Sequence, residues 1–155
     1  RRDNKGKSRI GGGLWYGADH AGNTELRLPE GLPQSSRIAE FASALTGLQR
    51  APRNQETHIS TSRDLLRVTM QTHLQHMEDR GWIGVAEREP LQALATELKA
   101  RTIPSLFKDP ESERAPRNDR TTADGRAGAT SLAVSGCQKL DPDGFHLEID
   151  PVFIL

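Results

Sequence analysis

Cysteine is almost absent from this chain. Cys137 is the only one in 155 residues, so no disulfide can close within it, and a reducing, intracellular setting (cytoplasm or nucleus) is the expectation. Aromatic residues are scarce as well, at 5%, within a hydrophobic content of only 34%. Net charge is missing altogether, because 21 basic residues meet 21 acidic ones. A balanced chain exerts no global pull on a polyanion, so nucleic-acid affinity would need a local patch. No apolar run approaches the ~20 residues that a membrane helix requires, and no secretory apolar region follows the start. The opening on Arg1 rather than Met predicts a piece of a longer polypeptide.

What is present points to one α/β domain over residues 1–155. A chain of this length buries roughly 70% of the surface its unfolded form exposes, enough for a real core. The one basic concentration is Arg1, Arg2, Lys5, Lys7 and Arg9, a candidate phosphate-binding patch or a solvated terminus. Gly11-Gly12-Gly13 leads into Leu14-Trp15-Tyr16, read as a short aromatic strand. Residues 18–23 are turn chemistry, and Thr24 to Leu28 reads as the return strand of a hairpin.

Ser35 or Ser36 is placed to cap a helix carrying Ile38, Phe41, Ala42, Leu45 and Leu48 at helical spacing. Thr57 to Ser60 suggests a brief strand. Ser62 could then cap a helix whose stripe is Leu66, Met70, Leu74 and Met77, closed by Asp79-Arg80-Gly81. A third helix carries Leu91, Leu94 and Leu98, and Ile103 to Phe107 suggests another strand. Residues 108–128 are polar and without period, which predicts a mobile loop. Ala129 to Ser135 reads as a short closing helix stopped by Gly136, with residues 137–155 as a C-terminal extension in which Phe145, Leu147 and Ile149 alternate. The order strand, strand, helix, strand, helix, helix, strand, helix predicts a mixed sheet flanked by helices.

Several local words, in this order, resemble the type 1 ribonuclease H domain in its fungal retroelement (reverse transcriptase polyprotein) version. Gly11 to Gly17 resembles that family's second strand, and Leu26-Arg27-Leu28-Pro29 its third. Ser36-Arg37-Ile38-Ala39-Glu40-Phe41 looks like its Asn-x-x-Ala-Glu-Leu helix start. Ile59-Ser60-Thr61-Ser62 stands where the family has Ile-x-Thr-Asp. Asp79 to Gly84 resembles a Gly-Trp pair of the retroelement versions, and Ala129 to Gly136 the closing Ala-Asp-x-Leu-Ala-x-x-Gly.

The resemblance implies hydrolysis of the RNA strand of an RNA/DNA hybrid by two Mg²⁺ (or Mn²⁺) ions roughly 4 Å apart, held by four clustered carboxylates with a histidine nearby. On that pattern Glu40 keeps a ligand position. The third position carries Ser62, a neutral hydroxyl that cannot bridge two cations. The fourth is Thr130 if the last helix sets the alignment, or Asp124 if Phe107 does. Glu40 with Asp124 is therefore the candidate catalytic and metal pair, and Ser62 and Thr130 are the lost positions. The first-strand aspartate would fall before Arg1, so the family's first strand is expected to be missing here, its slot filled by another segment or chain.

Other chemistry-bearing residues read as structural. His73 and His76 lie three apart without a third ligand, Cys137 has no base beside it, and no Lys-Ser or Lys-Thr follows the glycine triplet to make a phosphate loop. Trp15 and Trp82 are read as core anchors.

Three functions stay open at this level. One is a degenerate domain that binds nucleic acid or holds a larger polypeptide together. Another is a working hybrid nuclease, and a third is a protein-interaction module on the same fold. Salt separates the first from the last. Hybrid binding through the Arg1–Arg9 cluster is expected to weaken steeply as salt rises in an anisotropy titration, whereas a flat response favours the protein-binding role.

Overall fold

In a computed structural model of the chain, residues 9–61, 65–85, 88–108 and 120–139 are described. The elements are β1 (Gly11–Leu14), β2 (Thr24–Arg27), α1 (Ser36–Arg50), β3 (Thr57–Ser60), α2 (Leu65–Val68), a π-helical segment (Thr69–His73), α3 (Leu74–Asp79), α4 (Arg88–Ala100), β4 (Ser105–Lys108) and α5 (Arg120–Gln138). This is a mixed α/β chain in the order that the residue pattern predicts. The described strands do not form the expected single mixed sheet, however. They make two separate pairs, β1–β2 antiparallel and β3–β4 parallel. A ladder needs strands about 4.8 Å apart, and no strand among the described residues joins the pairs. Contacts divide the chain into two compact units, Arg1–Ser43 with Ala115–Phe145 and Ala44–Arg114 with His146–Leu155, the division passing through α1. No described helix is long and apolar enough to cross a membrane.

The first unit is built on β1. Gly11 pairs with Arg27 and Leu14 with Thr24, and the Leu28 amide donates to the Ile10 carbonyl at 3.0 Å to extend the ladder. The strand is thus the glycine triplet itself with Leu14. Trp15 and Tyr16, expected in it, lie beyond its end. The reason is tertiary: α5 packs along β1 and β2, and only side chains of hydrogen fit between. A Cβ on Gly11 would stand 2.2 Å from the Ala133 carbonyl oxygen, and one on Gly13 2.3 Å from that of Ala129. On Gly12 it would meet the Ser43 hydroxyl of α1 at 2.2 Å. Successive strand residues face opposite sides, so β1 lies between α5 and α1.

α1 starts as its sequence suggests. Ser35 caps it, its hydroxyl accepting from the Ile38 amide at 3.2 Å. Ile38, Ala39 and Ala42 are buried with Leu28, and Ile10 and Leu32 pack against them.

The closing helix is much longer than Ala129–Ser135. α5 begins at Arg120, so the part of the expected 108–128 loop that is described from there on is helical, and Gly136 lies inside the helix rather than ending it. Both glycines of this stretch with known surroundings have a packing reason. A Cβ on Gly128 would enter the Trp15 indole at 2.3 Å, and one on Gly136 would meet the Leu26 carbonyl oxygen at 2.1 Å. Contact with the hairpin outweighs the roughly 1 kcal/mol that glycine costs a helix. Residues 109–119 and 140–155, including the alternating Phe145, Leu147 and Ile149, lie outside the described residues.

In the second unit β3 and β4 run parallel, Thr57 opposite Ser105 and Ser60 opposite Lys108, with α2 to α4 as the helical crossover. The expected single helix from Ser62 is divided by the π-helical segment Thr69–His73. The extra residue turns the stripe by about 100°, so Leu66 and Met70 are buried while Leu74 and Met77 are only half-buried. α3 closes in a Schellman pattern: the Trp82 amide donates to Met77 O at 2.8 Å and the Gly81 amide to Glu78 O at 2.9 Å, with Gly81 at φ 60°. Trp82 is buried, as an anchor should be.

α4 presents Leu91 and Leu94 inward, Leu98 being half-buried. Arg101 follows it with a fully buried side chain. Its guanidinium donates to the carbonyls of Leu48, Ala51, Pro52 and Gln55 and to the Thr57 hydroxyl at 2.7–3.3 Å.

The packing of β1 yields a stability prediction. Gly13→Ala drives a methyl into a helix backbone and is expected to cost about 3 kcal/mol in urea unfolding. Gly12→Ala meets a hydroxyl that can rotate away and should cost about 1 kcal/mol. Equal, small losses would show that α5 does not press on the strand.

Candidate functional site

Glu40 lies in the second turn of α1, directly after Ala39. The Ala39 carbonyl and the Ser43 hydroxyl are the groups that touch β1 at Gly12. Residues three apart on a helix are neighbours, so Glu40 sits on the flank of α1 beside the glycine strand. Its side chain is half-buried and its Oε1 is closed off from solvent.

Thr130 is on α5 and exposed. Asp124 is on the same helix, which makes the two alternatives for the fourth ligand geometrically distinct: six residues apart, they differ by about 120° around the axis and about 9 Å along it. The Asp124 side chain and the whole of Ser62 lie outside the described residues. Of the basic cluster only Arg9 is described, and it is half-buried; Arg1, Arg2, Lys5 and Lys7 are outside. His73 and His76 are both exposed, and Cys137 is a partly buried free thiol.

Two hard divalent ions need several carboxylate oxygens around a shared centre. Among the described residues no group of three or more His, Cys, Asp or Glu side chains is placed to hold a metal. At the positions where the resemblance puts ligands, the described side chains are one carboxylate, Glu40, and one exposed hydroxyl, Thr130. That set does not fit a pair of Mg²⁺ ions, and no catalytic step is derived through them.

Residue patterns missed two features. Arg101 carries a buried charge that only the surrounding carbonyls explain, and its one sequence signal is the i, i+4 spacing from Glu97, whose carboxylate is 3.8 Å away. The hairpin loop also presents two neighbouring rings, Tyr16 and His20, with centroids 5.2 Å apart and planes tilted by 30°. An aromatic residue, a histidine and an asparagine within eight residues of turn were the available sign. No protein-family model matches the chain, and no curated protein matches it.

The poverty of ligands is testable. Titration calorimetry with Mg²⁺ or Mn²⁺ is expected to show no saturable binding that Glu40→Gln removes. Thr130→Asp, at an exposed position, should change stability by less than about 0.5 kcal/mol. Micromolar metal binding lost in Glu40→Gln would mean that carboxylates beyond those described complete a site.

Proposed function

We propose that this chain is a degenerate ribonuclease H-like domain, catalytically impaired, whose remaining role is to bind nucleic acid or to hold a larger polypeptide together. The supporting observation is a pairing of frame and loss. The hairpin, the Glu40-bearing helix, the parallel β3–β4 pair with its helical crossover and the closing helix on the hairpin follow one another in the family's order. Yet the family's third ligand position carries Ser62, and the fourth carries Thr130 when the last helix sets the alignment. A neutral hydroxyl at two of the four ligand positions removes half of the negative charge that would hold two cations beside a phosphate. The frame does not depend on that charge, because β1 is held by backbone contact with α5 and α1.

The test is cleavage of an end-labelled RNA/DNA hybrid in Mg²⁺ and in Mn²⁺, with Glu40→Gln alongside, paired with binding of the uncleaved hybrid. Binding without cleavage by either protein is expected. Metal-dependent cleavage abolished by Glu40→Gln would overturn the reading and make the chain a working hybrid nuclease. Failure to bind any nucleic acid would leave the interaction-module role.

A further inference from the structure

The β1–β2 loop is built more firmly than a connection needs to be. The Asn23 side chain spans it: Oδ1 accepts from the Tyr16 amide at 2.8 Å, and Nδ2 donates to the Gly17 carbonyl at 2.7 Å. The Asn23 amide donates to His20 O at 3.0 Å, and the Thr24 hydroxyl to Gly22 O at 2.8 Å. Asp19 takes a left-handed conformation, φ 54°, to complete the bend. The Gly22 amide donates to His20 Nδ1 at 2.9 Å, which makes Nδ1 the acceptor and leaves the imidazole proton on Nε2.

These bonds hold two rings at the surface. Tyr16, the chain's only tyrosine, is 51% exposed, and His20 is exposed beside it, the ring planes 30° apart. Gly22 is the floor beneath both. A Cβ there would come within 3.0–3.2 Å of Tyr16 Cδ2 and the His20 ring atoms. A chain with so few aromatic residues would be expected to bury its tyrosine. This one is exposed, with its backbone and its ring partner fixed by hydrogen bonds.

We propose that the Tyr16–His20 pair is a stacking platform for an unpaired base of a single-stranded nucleic acid. This deepens the nucleic-acid side of the proposed function and rests on it. A base offers a planar face to the phenol ring, and its carbonyl or ring nitrogen accepts from the His20 Nε2–H at the platform's rim. Pre-fixed rings lose little freedom on binding. Stacking on aromatic side chains does not depend on base identity, because every base has a π-face. It also does not depend on net positive charge, which this chain lacks. A paired duplex hides the faces of its bases, so the platform takes single strands and leaves hybrids alone.

The experiment measures anisotropy of a labelled 12-nucleotide oligo(dT) and of a 12-base-pair RNA/DNA hybrid, with the parent protein, Tyr16→Ala, His20→Ala and Gly22→Ala. Both rings are exposed, so the first two variants should fold as the parent does, which circular dichroism checks. Oligo(dT) binding is expected to weaken at least fivefold in Tyr16→Ala and measurably in the other two, with hybrid binding unchanged. In protein with ring-labelled tyrosine, the single ring signal should move upfield on adding oligo(dT). Oligo(dT) binding equal in parent and Tyr16→Ala, or an unmoved tyrosine signal at saturation, overturns the platform. Hybrid binding without oligo(dT) binding also overturns it while leaving the broader reading standing. Loss of both in the parent overturns the platform together with the nucleic-acid side of the proposed function.

Discussion

The first unit depends on a strand that has almost no side chains. β1 brings three consecutive hydrogens to the faces where α5 and α1 arrive, so helix backbone lies against strand backbone. A two-stranded ribbon is marginal in water by itself, and here α5 packs along it. Dispersion falls off so quickly that gaps below an ångström matter, and close backbone contact gives many such attractions at once. The fit recurs along α5, where Gly128 receives the Trp15 indole and Gly136 abuts Leu26. Polar contacts then fasten the far end: Arg27 donates to Lys139 O at 2.9 Å, and Lys139 Nζ to Glu25 O at 3.2 Å.

The second unit solves a different problem with a charge. α1 ends and the chain turns toward β3, leaving helix-end and loop carbonyls without helical partners. Arg101 answers them from inside, its planar fork reaching four carbonyls and the Thr57 hydroxyl. A buried guanidinium is costly unless its donors are met, and Nη1 and Nη2 are. The buried Glu97 carboxylate lies near it and is bonded by Arg53 at 2.9 Å. The cation therefore organises the backbone on which β3 begins.

On the proposed reading, such a frame would survive the loss of a metal site. Ligand carboxylates repel one another and add nothing to packing, so exchanging them for hydroxyls leaves the glycine strand, the Arg101 centre and the α5 contact untouched. Function therefore has to be argued from the side chains on the frame. Among the described residues, the Tyr16 and His20 rings of the hairpin loop are held exposed at the surface.

Much of the frame was legible without coordinates. The element order, the Ser35 cap, the hairpin turn and the buried Leu66, Leu91 and Leu94 follow from periodicity and local hydrogen bonding, which a chain carries in neighbouring residues. The helix that carries Glu40 was legible in the same way. Tertiary contact decided the rest. A glycine triplet reads as a lead-in until two helices press on it, and Gly128 reads as loop because its contact is with Trp15, more than a hundred residues away. The π-helical segment shifts the inward stripe by a residue that spacing alone cannot register. The centre around Arg101 and the Tyr16–His20 pair are made by backbone that only the folded chain brings to them. Sequence by itself determined the kinds of elements and their order, because those are properties of residues and their neighbours. The tertiary structure alone decided which backbones touch and which rings are held outward, because those depend on groups distant in the chain or on how a turn closes.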